Sequence, residues 1–476
     1  MNTPHPANAQ NTLESGRFLH PFTDFAEYKQ TGGRTYVGGE GIFIIDHQGN
    51  RLLDGMSGLW CTNLGYSQAS IKTAITAQLE RLPFYNSFFN CTTDVTLRLA
   101  DQLCSALPDG FEHVFFTNSG SEANDTNIRL VHRYFDLIDQ PKKKLIIART
   151  NGYHGSTIAG ASLGGMKGMH EQMQGLPYVH HVDQPYTFAQ LNAHTPEQVG
   201  QMAAQSLADK IDALGADQVA AFIAEPIQGA GGVIIPPANY WPLIEDICRS
   251  RNVLIISDEV ICGFGRTGQW WGCQTFGFEP DLITFAKAVT NGYQPLGGAA
   301  VSNKIADVLT AGGGEFAHGF TYSGHPVACA AGLATLEIYQ SSNLLDEVYD
   351  HIAPYWAEAL QKLSAHPIIG EVRSQGMLGA LELVRSQGTN ERIAPDAAAA
   401  VYCRNFAIGH GFMVRQVGDS IILSPPLIIQ PSEIDQLIKG LWQALDATAS
   451  AFKLGAKGWG RAIRQDLPLV RRAYDL

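Results

Sequence analysis

Three residue groups in this chain carry chemistry, and each sits directly after a short apolar run. Lys287 follows DLITFA. An ammonium at the edge of an apolar core either finds a partner or has its pKa lowered by desolvation, and a lowered pKa is what an amine needs to attack a carbonyl. Asp258 closes VLIIS and begins Asp258-Glu259-Val260, placing a carboxylate at the carboxyl end of a strand, where open α/β sheets bind ligands; strand ends also hold acids for capping alone. The third group, Asn118-Ser119-Gly120-Ser121-Glu122-Ala123-Asn124, follows HVFFT. Ser119 and Glu122 have capping-box spacing, which predicts a helix N-terminus whose free N–H groups and dipole suit a phosphate, with an ordinary capped helix as the alternative. An anion cradle, an acid and an amine at different strand ends match pyridoxal 5′-phosphate (PLP). Its phosphate needs the cradle, its aldehyde the lysine, and its pyridine nitrogen a carboxylate. Tyr153, in Asn151-Gly152-Tyr153-His154-Gly155, is placed to cover the ring, and His154 reads as a satisfied structural histidine without a catalytic role.

The elements that must position these groups follow from the alternation of HVFFT, KLIIA, VAAFIAEP, VLIISDEV and DLITFA with helix-like stretches, the βαβ signature of a mostly parallel sheet over about residues 112–325. Runs such as VLIIS are apolar on both faces, as strands covered by helices on both sides must be. After Pro326, VACAAGLATLEIYQ has helical periodicity, and SIILSPPLII reads as a short strand in a smaller α+β domain. The expected division is residues 1–60 as an N-terminal arm and part of the small domain, 61–328 as the large cofactor domain, 329–450 as the C-terminal small domain and 451–476 as a tail. Residues 453–476 hold six basic and two acidic residues, read as a surface tail or subunit contact.

Composition narrows the partners. The 476 residues are 45% hydrophobic and 16% charged, enough for a large core. A net charge of -12 argues against nucleic acid, and no apolar run approaches the roughly 18 residues of a membrane span. Eight cysteines without CxxC spacing predict free thiols in a reducing cytosol, with neither a disulfide framework nor a metal site, and the polar N-terminus carries no export signal. Gly263-Phe264-Gly265-Arg266-Thr267-Gly268 matches GxGxxG, but Gln-Trp-Trp-Gly follows where an apolar helix should begin, and Glu279 and Asp281 come too early for a ribose acid about 20 residues on.

The motifs NSGSEANDT (118–126), NGYHGST (151–157), AEPIQGAGG (224–232), DEVICGFGRTG (258–268), AKAVTNGY (286–293) and HGFTYSGHP (318–326) together closely resemble the class III (omega) aminotransferases of the fold-type I PLP enzymes, from HPFTDF to about residue 450. The resemblance implies an α/β fold with a mostly parallel central sheet, and a homodimer or dimer of dimers with sites at the subunit interface. It implies Lys287 as the Schiff-base lysine, Asp258 on the pyridine nitrogen, Gly120 and Ser121 on the phosphate with Thr321 from the other subunit, and Tyr153 and Val260 on the two ring faces. Glu225 would stand behind the cofactor, and Arg415 would be a mobile arginine for substrate carboxylates. Many members carry glutamine after DEV; Ile261 here places the chain nearer the amine- and polyamine-pyruvate branch than the branches acting on ornithine or 4-aminobutyrate. Phe22, Leu59, Trp60, Phe88, Ala230 and Phe320 agree, forming an apolar, aromatic substrate lining.

The expected reaction passes an amino group from a primary amine to a keto acid, pyruvate above all, with Lys287 as both anchor and general base. The alternatives are an aminomutase or decarboxylating enzyme on the same scaffold, a nicotinamide oxidoreductase using GFGRTG, and a binding protein without activity.

Overall fold

The structure, a computed structural model, describes residues 16–188, 193–388, 391–393 and 398–455. The first 15 residues of the arm and the tail from 456 onward lie outside the described residues.

Asp24 caps the helix Phe25–Thr31 by accepting from the N–H groups of Ala26 and Glu27. An antiparallel meander follows, of β1 (Tyr36–Glu40), β2 (Phe43–Asp46) and β3 (Arg51–Asp54). The centre of the molecule is a seven-stranded sheet of β4 (Phe111–Thr117), β5 (Leu145–Arg149), β6 (Val179–Val182), β7 (Val219–Ala224), β8 (Leu254–Asp258), β9 (Leu282–Phe285) and β10 (Gly297–Ser302), in the order β4-β10-β9-β8-β7-β5-β6. Every residue of β7, β8 and β9 is buried, as two-sided helical cover requires. All strands run one way except β10, which is antiparallel to both its neighbours.

The carboxyl ends of β4, β5, β7, β8 and β9 therefore open on one edge. The Gly/Ala-rich β10 has no β-branched signature beyond Val301, and its glycines serve close approach. A Cβ on Gly297 would stand 2.7 Å from the Ser119 backbone, so the bare strand lets the Asn118–Gly120 turn lie against the sheet edge.

The opposite edge is held by Lys143, which is 3% exposed. Its ammonium donates to the carbonyls of Asn252 (2.7 Å), Ala216 (2.8 Å) and Val219 (2.9 Å), joining the amino-terminal approaches to β5, β7 and β8. Burial lowers the Lys143 pKa to about 8.

The helix Pro326–Ser341 is apolar on nearly all sides and buried, as the sequence periodicity predicts. Beyond it, β11 (Ile369–Gln375), β12 (Leu378–Leu383), β14 (Arg415–Val417) and β15 (Ser420–Leu423) form an antiparallel sheet in the order β11-β12-β15-β14. The two-residue β13 (Phe412–Met413) leaves that sheet and pairs parallel with β3, Phe412 opposite Leu53. One continuous apolar core joins Leu53 and Leu64 to Phe222, Ile255, Leu381 and Leu437. Among the described residues, no helix is long and apolar enough to cross a membrane.

Candidate active site

The ends of β8 and β9 set the site. Their register pairs Asp258 with Thr284, so the buried Asp258 carboxylate and Lys287, three residues beyond Thr284, leave the sheet side by side. Lys287 opens a short 3-10 turn with φ +50, a left-handed conformation that costs a non-glycine residue of order 1 kcal/mol or more and clusters at functional sites. Burial lowers the Lys287 pKa; Cys61, Asp258 and Glu225 oppose that shift, and the Arg415 guanidinium adds to it. This is the perturbed amine that the position after DLITFA predicts.

Asp258 is more heavily bonded than its strand-end position suggests. Oδ2 lies 2.8 Å from His154 Nδ1 and accepts from Asn124 Nδ2 at 2.8 Å, while Oδ1 accepts from the Val260 N–H at 3.2 Å. His154 is buried and satisfied, as a structural histidine would be, yet its partner is the acid of the site. Asn124 is an addition that spacing did not identify.

The cradle forms at the start of the helix Gly120–Leu137. Ser119 Oγ accepts from the Glu122 N–H at 3.3 Å, but the Glu122 carboxylate accepts from the backbone and side-chain N–H groups of Asn118 and does not return to Ser119. Only half of the expected capping box is formed, because Asn118 offers two donors. A Cβ on Gly120 would meet Val260 Cγ2 at 2.8 Å, and one on Gly155 would meet Ser121 Oγ at 2.5 Å. Ser121 Oγ accepts from the Ser156 N–H at 3.1 Å, so the cradle and the NGYHGST loop are one unit.

Tyr153 is tied from below by Glu225. The fully buried Glu225 carboxylate accepts from the N–H of Tyr153 at 3.0 Å and of Gly229 at 2.9 Å, and burial raises its pKa. Gly229 begins the loop carrying the buried Ala230. Arg373, on β11, grips the far end of that loop, donating to the carbonyls of Gly232 (2.9 Å) and Val233 (3.2 Å). Its two terminal nitrogens each donate to Glu382 at 3.0 Å, and Ser420 Oγ donates to the same carboxylate at 2.5 Å.

Trp60 has two cations against its ring, Lys287 Nζ at 5.0 Å and Arg415 Cζ at 5.1 Å from the centroid, both within cation–π range. Its loop is strained, with positive φ at Ser57, Gly58 and Trp60, and Asp54 holds it by accepting from Met56 N, Gly58 N and Tyr66 Oη. Ile261 joins Trp60, Met56, Ile227 and Val233 in an apolar cluster. A Cβ on Gly229 would meet Ile261 Cδ1 at 2.6 Å, so isoleucine fills this volume by packing.

Leu59 is 51% exposed and Phe22 is 76% exposed, with Phe22 edge-on to Tyr153 at 6.3 Å. Phe88, Phe320 and Thr321 form a second group. Phe88 packs against Gly319, and Phe320 against His318, which bonds Thr126 and Arg129 of the cradle helix. Thr321 is exposed, and among the described residues no hydrogen bond or ring contact links this group to Lys287 within one chain.

The GFGRTG run is no ligand loop. Arg266 is buried and donates to Pro425 O, Ser57 Oγ and Asn63 Oδ1, stapling the strained Trp60 loop to the segment that follows β15. The only helix close behind it spans the five residues Gly272–Phe276, too short for a dinucleotide-binding helix. The described residues contain no cluster of His, Cys, Asp and Glu that could hold a metal ion.

A lysine of lowered pKa, a buried carboxylate with an oxygen held by one weak donor, and a glycine-lined helix start against Val260 are the complement of PLP. The aminotransferase class-III profile matches residues 26–445. The putrescine–pyruvate aminotransferase of Pseudomonas aeruginosa is 48% identical over 440 residues, 92% of this chain and 96% of its own length. Gamma aminobutyrate transaminase 3 of Solanum lycopersicum is 42% identical over 86% of this chain and 80% of its own. The crystal structure of the omega transaminase from Pseudomonas jessenii in complex with PMP superposes with a TM-score of 0.88 at 38% identity, covering 92% of this chain and 97% of that one. The chain belongs to the class III aminotransferases, PLP-dependent enzymes that transfer an amino group from an amine to a keto acid.

Proposed function

We propose that the chain transfers the amino group of a primary amine, such as a polyamine, an omega-amino acid or an arylalkylamine, to pyruvate, giving alanine. The observation that carries this reading is that Lys287 and Arg415 both stand against the Trp60 ring, which puts a cation for a substrate carboxylate beside the apolar cluster of Met56, Ile227 and Ile261. Bound PLP supplies a reactive carbonyl and an electron sink. Asp258 would hold the pyridine nitrogen, Gly120 and Ser121 the phosphate, and Tyr153 and Val260 the ring. Lys287 Nζ, its pKa lowered by burial, would anchor the cofactor and serve as the base that takes the donor's Cα proton and hands it on. Arg415 meets a carboxylate when pyruvate or an omega-amino acid binds and rests on Trp60 when the amine has none. The relatives span a putrescine–pyruvate enzyme and a gamma aminobutyrate enzyme, which supports both donor types.

The same reading makes the working unit a homodimer or dimer of dimers. Phe84, Tyr85, Tyr322 and the 90% exposed Phe89 form an apolar surface that a second copy would cover, and exposed Thr321 would reach the neighbour's phosphate. Residues 1–60 are assigned as an N-terminal arm and part of the small domain of residues 329–450, a division that the β3–β13 pairing supports. Eight free thiols suit a cytosolic location. The test is a half-reaction panel. Putrescine, β-alanine or 1-phenylethylamine without keto acid should bleach the visible cofactor band in a single turnover, and pyruvate should restore it. Steady turnover with no keto acid present would refute transamination in favour of a mutase or lyase.

A further inference from the structure

Asp258 has one contact that no established role explains. Asn124 donates Nδ2 to Asp258 Oδ2 (2.8 Å) and to the His154 carbonyl (2.8 Å), while its Oδ1 accepts from Thr284 Oγ1 (2.7 Å), which in turn accepts from Asn127 Nδ2 (2.7 Å). Asn124, Asn127 and Thr284 are all essentially buried. A threonine hydroxyl has one proton, so accepting from Asn127 and donating to Asn124 fixes its direction, and that fixes which end of the Asn124 amide faces Asp258. Asn127 Oδ1 has no partner among the described residues, so this amide is oriented by what it donates to.

The chain of donors points one way, from Asn127 through Thr284 and Asn124 to Asp258. With His154 on the same oxygen, both lone pairs of Oδ2 are engaged. Oδ1 has a single 3.2 Å donor, the Val260 N–H, and keeps a lone pair open. Asn124 also stands one turn, about 5.4 Å along the axis, from Gly120 and Ser121 on the same helix. One rigid element therefore registers the cradle and the acid.

We propose that Asn124, oriented by Thr284 and Asn127, is a positioning residue that with His154 fills Asp258 Oδ2 and leaves Oδ1 free for the pyridine nitrogen. This rests on the assignment of Asp258 to that nitrogen. Asn124 acts through Asp258 and does not itself touch the cofactor.

The test uses full-length holoenzyme carrying Asn124→Ala, Thr284→Val or Asp258→Asn. Each is read by the dissociation constant of PLP, the pH midpoint of the visible band, and the half-reaction with 1-phenylethylamine. Asn124→Ala is expected to slow the half-reaction about tenfold or more, the scale of one hydrogen bond to a charged group, with half-saturation by the amine little changed. It should also move the band midpoint to higher pH, since a less firmly protonated ring withdraws less charge from the Lys287 nitrogen. Thr284→Val, nearly isosteric and one bond removed, should give a smaller change in the same direction, and it carries the test if Asn124→Ala does not fold.

Reconstitution with the cofactor analogue bearing CH in place of the ring nitrogen separates positioning from general structural support. With it, wild type, Asn124→Ala and Thr284→Val should be equally slow. Equal deficits with both cofactors, or an Asn124→Ala enzyme matching wild type in rate and midpoint, would overturn the proposal. Full retention of rate and band by Asp258→Asn would overturn the underlying assignment and this proposal with it. A crippled Asp258→Asn beside an unaffected Asn124→Ala would overturn the proposal alone.

Discussion

Replacing Arg373 with methionine is the sharpest probe of how the β11–β12–β15–β14 sheet holds the loop of residues 229–233. The substitution roughly keeps the aliphatic stem but removes the guanidinium donors to Gly232, Val233, Glu382 and Glu371. Glu382 is 2% exposed and would keep only neutral hydroxyl donors, Ser420 and Tyr186, so a buried carboxylate loses its counter-ion. Breaking a buried pair from one side costs about 3–5 kcal/mol, with the two orphaned carbonyls already part of that loss. The assay is urea unfolding of the apoenzyme followed by fluorescence and circular dichroism together. The expected result is a fall in midpoint for Arg373→Met that is largely reversed in Arg373→Met/Glu382→Leu, because removing both partners of a buried pair is often neutral. Activity should behave differently. The double variant still lacks the grip on Gly232 and Val233, so its KM for amine donors should stay raised although stability returns. A single variant within about 1 kcal/mol of wild type, or a double variant no more stable than the single one, would refute the view that this ion pair is what the loop depends on.

Lys287→Ala should abolish both the visible band on adding PLP and turnover, and survival of either refutes the anchor assignment. Gly297→Ala puts a Cβ 2.7 Å from the Ser119 backbone, so the dissociation constant for PLP, measured by fluorescence quenching, should rise about tenfold or more, while an unchanged value would show that the cradle turn does not rely on that approach. Arg415→Leu should raise KM for β-alanine and pyruvate far more than for 1-phenylethylamine, and should raise the pH midpoint of PLP capture because a charge that depresses the Lys287 pKa is gone; equal KM changes for all three would count against it. Lys143 has a folded pKa of about 8, below its unfolded value of about 10.5, so the unfolded chain binds more protons between those limits and this residue's contribution to stability grows as pH rises from 8 to 10.5. The stability difference between wild type and Lys143→Met, followed by denaturant midpoint, should widen over that window, and a flat difference would show that the carbonyl bonds keep the ammonium fully protonated.

Lys287, Asp258 and the Ser119–Gly120 helix start were legible because each directly follows an apolar run, and in a parallel sheet the ends of such runs meet at one edge. What the sequence does not display is lateral. Asn124 and Asp258 are 134 positions apart and Thr284 lies 160 from Asn124, so their bonds have no spacing signature. His154 was readable as buried and satisfied, but not as satisfied by Asp258. β10 was hidden because GGAAVS is chosen for close approach, and glycine and alanine carry no strand propensity. The capping box was half legible, since Ser119 fits the pattern while Asn118 competes for Glu122. The left-handed residues of the Trp60 loop follow from Asp54, Tyr66 and Arg266, three partners that no local motif announces.

Trp60 has a consequence for anyone reshaping this pocket. On the proposed function its ring would be a wall of the donor pocket, and it is a shared counter-surface for two cations, so shortening it to admit a larger donor also strips Lys287 and Arg415 of a common neighbour. Room and charge balance are thus linked at this one position. A library that varies Trp60 alone samples steric and electrostatic change together, and only paired variation with Arg415 can separate the two.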